Sequence, residues 1–149
     1  MKKFSPIKPW RQTGAATVEF ALVASVGGLF VVLIAALELG RVMFYMNTAN
    51  EATRLGARIA VVCDANDATI KNRMHTLLPL LQPTDINVTY LPVGCAASAE
   101  EARKSCESVT VAIRPNLNID TVIPILPVSI SLPAFSTTLS REAMDSSGC

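Results

Sequence analysis

The stretch FALVASVGGLFVVLIAAL, from Phe20 to Leu37, contains no charged residue, and it concentrates apolar side chains in one block of this 149-residue chain. Half of the residues are hydrophobic and only 17% are charged. A helix of about 20 apolar residues crosses the hydrocarbon core of a bilayer. The stretch therefore predicts a transmembrane helix, and extending it back to Ala15 adds only one charge, Glu19.

Three interpretations fit such a run: a cleaved secretory signal, a permanent single-span anchor, or a signal-anchor helix that is trimmed at its start. The apolar region of an ordinary signal peptide is about 7–15 residues long, which is shorter than this run. An ionisable group inside a membrane segment costs about 2.5–3.5 kcal/mol, so Glu19 is a candidate functional residue. The simpler alternative is that its carboxylate reaches the cytoplasmic headgroups.

Charge is distributed unevenly along the chain. Residues 1–14 contain four of the 13 basic residues and none of the 12 acidic ones. A basic leader before an apolar run predicts that the leader, residues 1–14, stays in the cytoplasm and that the chain after Leu37 is exported. The exported part, residues 38–149, is too small to be more than one compact domain with a small core. This composition excludes a disordered protein, a nucleic-acid binder with a basic surface and a multidomain enzyme.

The helical pattern continues beyond Leu37. Apolar residues fall within one arc at about 100° per residue, and a polar stripe falls on another. That stripe consists of Asn47, Glu51, Arg54 and Arg58. We therefore predict one continuous helix from Ala15 to Val62, with residues 15–37 in the membrane and residues 38–62 outside it. Small residues keep the surface of the second part thin, so another layer can pack closely against it.

Residues 63–149 predict a small exported domain, which gives an α+β fold class. Asp64 to Asp67 ends the long helix and offers an N-cap for a short second helix. Alternating apolar and polar residues predict strands at 86–90 and 109–113, with one or two more in 128–132 and 135–144. Prolines favour sheet edges and turns, so we expect an antiparallel sheet of roughly three to four strands.

All four cysteines come after the apolar run: Cys63, Cys95, Cys106 and Cys149. The exported side of a membrane is oxidising, and the spacings match neither a C-x-x-C motif nor a zinc-ligand pattern. Structural disulfides are therefore the preferred interpretation. Cys95 and Cys106 bracket the loop between the two clearest strands, and Cys63 could then pair with Cys149. Four cysteines allow three connectivities, and the sequence does not select one.

No motif for catalysis or cofactor binding assembles. The single histidine, His75, cannot build a histidine-rich metal site, and neither a glycine-rich phosphate loop nor an HExxH motif is present. Glu100 and Glu101 lie near Arg103 and Lys104 in what we interpret as a solvated loop. We expect no enzyme activity, no cofactor, no metal site, no small-molecule substrate and no nucleic-acid partner.

Three motifs in order resemble the TadE-like family of tight-adherence pilus systems: GAATVEFALV from Gly14, ELGR at 38–41, and EATRLGARIAVV at 51–62. A glycine before an apolar helix, with a glutamate at the fifth position after it, also resembles the processing site of type IV pilins and pseudopilins. The resemblance implies that a prepilin peptidase cuts between Gly14 and Ala15. It further implies that Glu19 pairs with the new N-terminal amine of a neighbouring subunit.

The resemblance implies a pilin-like fold and a function as a minor pilin or pseudopilin-like component of a Flp/Tad (type IVb) pilus assembly and secretion system. The expected role is in pilus biogenesis or adhesion. Expected partners are the prepilin peptidase, other pilin or pseudopilin subunits, the inner-membrane assembly platform and the membrane. The expected location is the bacterial inner membrane, single-pass, with a cytoplasmic N-terminus and a periplasmic C-terminal domain; incorporation into an extracellular pilus stays open. The alternatives are an uncleaved, membrane-anchored periplasmic accessory or scaffold protein of the same machine, and an anchored enzyme.

Overall fold

The computed structural model describes residues 13–115, 117–123 and 127–149. Most of the basic leader, residues 1–12, lies outside the described residues. The chain divides into two compact units, Met1–Leu39 and Gly40–Cys149.

Helix α1 spans Thr13–Val62 and contains 50 residues. This confirms the prediction of one continuous helix ending at Val62; the helix begins two residues earlier than predicted. Within the N-terminal unit its apolar side chains are exposed, with Phe20 at 75% and Val18 at 66%. From Gly14 onward the helix is long and apolar enough to cross a membrane. The N-terminal unit is therefore a candidate membrane anchor.

The C-terminal unit contains a three-stranded antiparallel sheet made of β1 (Ile86–Leu91), β2 (Ser108–Ile113) and β5 (Ser136–Ser140). The strand order is β1-β2-β5. The alternation predicted from the sequence is visible in the burial of β2, where every second side chain is buried. Two further strands, β3 (Asn118–Asp120) and β4 (Ser129–Ser131), form a separate antiparallel pair. The α+β fold class is thus confirmed.

Small residues of α1 allow the sheet and a second helix to approach its backbone. Gly56 is buried, and a Cβ built on it would lie 3.0 Å from Cγ of Met74 and 3.2 Å from Cγ1 of Val111. Met74 belongs to helix α2 (Ala68–Leu77), and Val111 belongs to β2. The absence of a side chain at Gly56 is what permits this three-way contact. The fully buried alanines of α1 share this face: Ala49, Ala52, Ala57 and Ala60.

Helix α2 begins as the sequence predicts. Asp67 is its N-cap, and the carboxylate accepts a hydrogen bond of 2.8 Å from the backbone N–H of Thr69. The helix ends at Leu77, although Leu78 and Leu81 still contribute buried side chains.

Two predictions for the C-terminal unit need correction. The charged segment around Glu100 is a helix, α3 (Ala99–Ser105), because Ser98 caps its first turn through a 3.2 Å bond from the N–H of Glu101. The last predicted strand region, 135–144, contains a strand only over Ser136–Ser140. After that strand the chain leaves the sheet and its backbone bonds to the end of α1 instead.

Candidate assembly site on the long helix

The proposed processing residues lie in the first turn of α1. The helix begins at Thr13, so the Gly14–Ala15 bond is among the first peptide bonds of the helix. The first four N–H groups of any helix have no partner within the helix. Opening the backbone here therefore breaks few hydrogen bonds. Added bulk at Gly14 would meet nothing within 4 Å in the described part of the chain.

Glu19 lies one helical turn after Ala15. Residues four apart on a helix have Cβ atoms about 5–6 Å from each other, so the two positions share one face. Glu19 is exposed, and its sequence neighbours Val18 and Phe20 are exposed apolar residues. Within the described residues, its carboxylate has no hydrogen-bond or ion-pair partner. The site is therefore a single carboxylate in an apolar surface, close to the first turn of the helix.

Small residues are spaced for close helix packing in the same segment. Ala24 and Gly28 are four positions apart, which places them on one face. Bulk added at Gly27 or Gly28 would meet no described atom within 4 Å. The hydroxyl of Ser25 donates to the backbone oxygen of Leu22 at 2.9 Å, so it is satisfied within its own helix. This face can accept another helix without leaving a polar side chain unpaired at Ser25.

The cysteines lie in the C-terminal unit and form two disulfides. Cys63 pairs with Cys149, with Cα atoms 6.0 Å apart, and Cys95 pairs with Cys106, with Cα atoms 5.1 Å apart. This is one of the three connectivities that the sequence leaves open. The first bridge ties residue 149 to the end of α1, and the second spans the segment that contains α3.

The segment 141–149, which we call the tail, caps the C-terminal end of α1. Backbone N–H groups of Glu142 and Met144 donate to the carbonyl of Val61 at 3.3 and 3.2 Å. The N–H of Asp145 donates to the carbonyl of Val62 at 2.6 Å. The last carbonyls of a helix have no partner within the helix, so the tail supplies the missing donors.

Side chains reinforce the tail on its other side. The hydroxyl of Ser146 donates to Oδ2 of Asp67 at 2.6 Å and accepts from the N–H of Asp64 at 2.9 Å. The hydroxyl of Ser146 holds the pKa of Asp67 below its ordinary value, and the backbone N–H of Thr69 lowers it further. The Arg103 guanidinium lowers the pKa of Asp64. These groups link α1, α2 and α3 to the tail.

Sequence reasoning named Cys63–Cys149 as a possible pair but did not find the polar contacts of the tail. The ion pair between Arg103 and Asp64 joins residues 39 positions apart, and the contact between Asp67 and Ser146 joins residues 79 apart. The available signal was local: Ser98 followed three residues later by Glu101 is a helix-start pattern, and it would have revealed α3.

His75 makes one hydrogen bond within its own neighbourhood. Its Nδ1 lies 2.7 Å from the backbone oxygen of Leu81. In the described part of the chain, no group of three or more His, Cys, Asp or Glu side chains is arranged to hold a metal ion.

One candidate membrane-spanning helix at the N-terminal side, together with a small disulfide-containing α+β unit, suggests a membrane-anchored protein. Residues 14–58 match the family model described as TadE-like protein. This confirms the family resemblance predicted from the three sequence motifs. The match covers 45 of the 149 residues and suggests a Tad pilus-associated protein. Comparisons with curated proteins and with solved structures found no match.

Proposed function

We propose that this protein is a minor pilin or pseudopilin-like component of a Flp/Tad (type IVb) pilus system, acting in pilus biogenesis or adhesion. It is made as a precursor with residues 1–14 in the cytoplasm, residues 15–37 in the inner membrane and the disulfide-stabilised residues 63–149 in the periplasm. The observation that carries the proposal is the extent of the family match, which begins at Gly14 and includes Glu19 and the exposed apolar helix.

The first step is hydrolysis of the Gly14–Ala15 peptide bond by a prepilin peptidase. A peptidase needs close access to an extended backbone, and glycine offers no Cβ to obstruct it. The position of the Gly14–Ala15 bond in the first turn of α1 supports this step, because few helical hydrogen bonds are lost when that turn opens. Water adds across the bond, which leaves a carboxylate on Gly14 and a new α-amino group on Ala15.

The second step is assembly through Glu19. An unpaired charge in lipid is costly, whereas a charge paired with an opposite one is tolerated. The amine at Ala15 of a neighbouring subunit supplies the opposite charge and thereby sets the register between subunits. The face with Ala24 and Gly28 allows the two helices to approach closely while the pair forms.

Cleavage is tested by mass spectrometry of the protein purified from cells that contain the matching pilus system. We expect the mature chain to begin at Ala15. Gly14→Val should block the cut, and Gly27→Val is the matched control because both glycines lie on α1 and a Cβ at either would meet no described atom within 4 Å. A full-length chain in cells with an active peptidase would contradict processing and would favour the alternative, an uncleaved accessory or scaffold protein of the same machine.

Assembly is tested separately with Glu19→Gln, which removes the charge and keeps the size. We expect normal insertion and cleavage, but a loss of roughly tenfold or more in recovery of the protein with sheared pili, since a factor of ten corresponds to about 1.4 kcal/mol. Glu51→Gln is the control, because Glu51 is an exposed glutamate of the same helix that pairs with Arg54 at 3.2 Å. Equal recovery of both variants would show that Glu19 only reaches the headgroups.

A further inference from the structure

The hairpin formed by β3 and β4 is held together close to its turn. Ile119 faces Ile130 in the register of the two strands. Beyond β3, the N–H of Thr121 donates to the carbonyl of Val128 at 2.9 Å, and the N–H of Val128 donates to the hydroxyl of Thr121 at 3.1 Å. These two bonds hold Thr121 and Val128 together just after β3 and just before β4, and Val122 follows Thr121 directly.

The two ends of this hairpin differ in burial. At its base Ile119 and Leu132 are 3% exposed, so the base belongs to the core of the C-terminal unit. Toward the turn Val122 is 69% exposed and Val128 is 42% exposed. The sequence from Thr121 to Val128, TVIPILPV, contains no charged residue. Exposed apolar side chains in a segment without a charge indicate a contact surface.

The hairpin is attached to α1 close to the end of the apolar run. The guanidinium of Arg41 donates to the backbone oxygen of Asp120, the last residue of β3. Arg41 is four residues after Leu37, and four residues span at most about 14 Å. The headgroup region on each side of a bilayer is about 5–8 Å thick. If residues 15–37 cross the membrane, Arg41 lies within about 14 Å of the end of the apolar run, and its hydrogen bond keeps Asp120 within one arginine side chain of that point.

Residues of α1 next to Arg41 have the composition of a membrane interface. Met43 and Phe44 are exposed at 53% and 64%. The Arg41 guanidinium carbon lies 5.8 Å from the ring centroid of Tyr45, and the ring of Phe44 packs edge-on to Tyr45 with centroids 6.0 Å apart. Aromatic rings together with a cationic side chain are typical of the level where lipid headgroups meet the acyl chains.

We propose that a membrane-contact surface, defined as Val122, Val128, Met43 and Phe44, rests on the outer leaflet of the bilayer that holds residues 15–37. The surface gives the C-terminal unit a second attachment to the membrane besides the covalent one through α1. The inference rests on the membrane anchoring in the proposed function, but not on cleavage or on pilus assembly. The occupant is lipid, because the surface has exposed apolar side chains and lies on a hairpin that Arg41, just beyond the apolar run, contacts at Asp120.

Tryptophan fluorescence in lipid nanodiscs tests the contact with the full-length protein. The chain has one tryptophan, Trp10, so Trp10→Phe gives a silent background. Val122→Trp is compared with Val93→Trp, in discs made with ordinary or with acyl-chain-brominated phosphatidylcholine and phosphatidylglycerol. Val93 is a 91% exposed valine two residues after the end of β1. The strand that leads to Val93 is connected to the other end of α1, because the Tyr90 hydroxyl in β1 accepts a hydrogen bond from the N–H of Asn66, four residues after α1 ends.

We expect brominated lipid to quench the emission of Val122→Trp at least about twofold more strongly than that of Val93→Trp, because an indole at the bilayer surface lies near the brominated chains. Equal quenching at both positions, in discs that retain the protein, would overturn the contact. A blue-shifted but unquenched Val122→Trp would also overturn it, since that result indicates a protein partner. Failure of both variants to stay with the discs would instead contradict the membrane anchor.

A second measurement uses the wild-type side chains, so that an added indole cannot create the contact. A diazirine-bearing phospholipid in the discs should label peptides that contain Val122 or Val128 after illumination, and should leave the peptide that contains Val93 unlabelled. Absence of label on the hairpin, with label present on residues 15–37, would overturn the contact while leaving the anchor intact.

Discussion

Arg103 of α3 lies beside Asp64, two residues beyond the end of α1, with Nη2 and Oδ1 2.6 Å apart. The same guanidinium donates from Nε to the backbone oxygen of Met144 at 2.9 Å. One side chain thereby joins the end of the long helix, a short surface helix and the tail. Met144 is fully buried, so the tail is anchored in the core as well as at the surface.

This arrangement predicts a loss of stability in acid. The Arg103 guanidinium lowers the pKa of Asp64, and the Ser146 hydroxyl lowers the pKa of Asp67, both from an ordinary value of 3.8. A carboxyl whose pKa is lower in the folded state stabilises the fold fully above its unfolded value, and that contribution is lost as the pH falls through the folded value. We therefore expect the melting temperature to begin falling near pH 4 and to keep falling below it.

Thermal unfolding of the full chain in detergent, followed by near-ultraviolet circular dichroism from about pH 7 to about pH 2.5, measures this effect. The Asp64→Asn, Asp67→Asn double variant should be less stable at neutral pH and should show a flatter dependence on pH than the wild type. Glu101→Gln is the control, since Glu101 is exposed on α3. An unchanged acid slope in the double variant would assign the pH dependence to other groups.

Gly56 and Gly40 predict opposite responses to one substitution on the same helix. A Cβ at Gly56 would crowd Met74 and Val111, and Met74 is fully buried with little room to move. Gly56→Ala should therefore destabilise the fold by about 1–3 kcal/mol. A Cβ at Gly40 would meet no atom of the described residues within 4 Å, so Gly40→Ala should stabilise the helix by about 0.5–1 kcal/mol. Denaturant unfolding of the two variants measures the difference, and the same sign for both would contradict the packing described around Gly56.

The parts of the fold that sequence predicts are those with a repeating local pattern. The apolar run and its helical continuation give α1, and strict alternation gives β2. Apolar periodicity does not predict α3, because the helix has only seven residues and one of them, Ala102, is buried. The strand β3 is not predicted from the sequence, because its three residues, Asn118–Asp120, are too few to show an alternating pattern.

The candidate site divides in the same way. Gly14, Ala15 and Glu19 are recognisable from sequence because they lie within two turns of one helix, and their roles stay predictions. The tail contacts depend on residues that meet only after folding, such as Ser146 and Asp64, which are 82 positions apart. Nothing in the local sequence of either residue indicates the other. Long-range polar pairs of this kind depend on the topology, so they become visible only when the fold is known.

The two disulfides should contribute unequally to stability. Cys63–Cys149 closes a sequence separation of 86 residues, and Cys95–Cys106 closes one of 11. In the chain-entropy account a longer closed loop restricts the unfolded chain more, so removal of the first bridge should cost about 1–2 kcal/mol more than removal of the second. Double alanine variants of each pair, compared by denaturant unfolding, measure this difference.

Limited proteolysis adds a local readout for the same variants. Loss of Cys63–Cys149 should expose the tail to cleavage near Arg141, because the backbone bonds that cap α1 then have no covalent support. Loss of Cys95–Cys106 should leave the tail protected. If the tail is cleaved equally fast in both variants, the bridge at Cys63 does not hold it in place.

Thr53 and Thr137 form a polar pair between α1 and β5, and they predict a non-additive effect. Thr53 is fully buried; its hydroxyl donates to the carbonyl of Asn50 at 2.8 Å and accepts from the hydroxyl of Thr137 at 3.1 Å. Thr53→Val keeps the shape but leaves the Thr137 hydroxyl without this acceptor, which should cost about 1–2 kcal/mol. Adding Thr137→Val removes the orphaned donor, so the double variant should lose less stability than the two single losses combined. The control is Thr48→Val. The Thr48 hydroxyl bonds within α1 to the carbonyl of Phe44, so this substitution should change the free energy of unfolding by less than about 0.5 kcal/mol. Strict additivity in this double-mutant cycle would show that the two hydroxyls are not coupled.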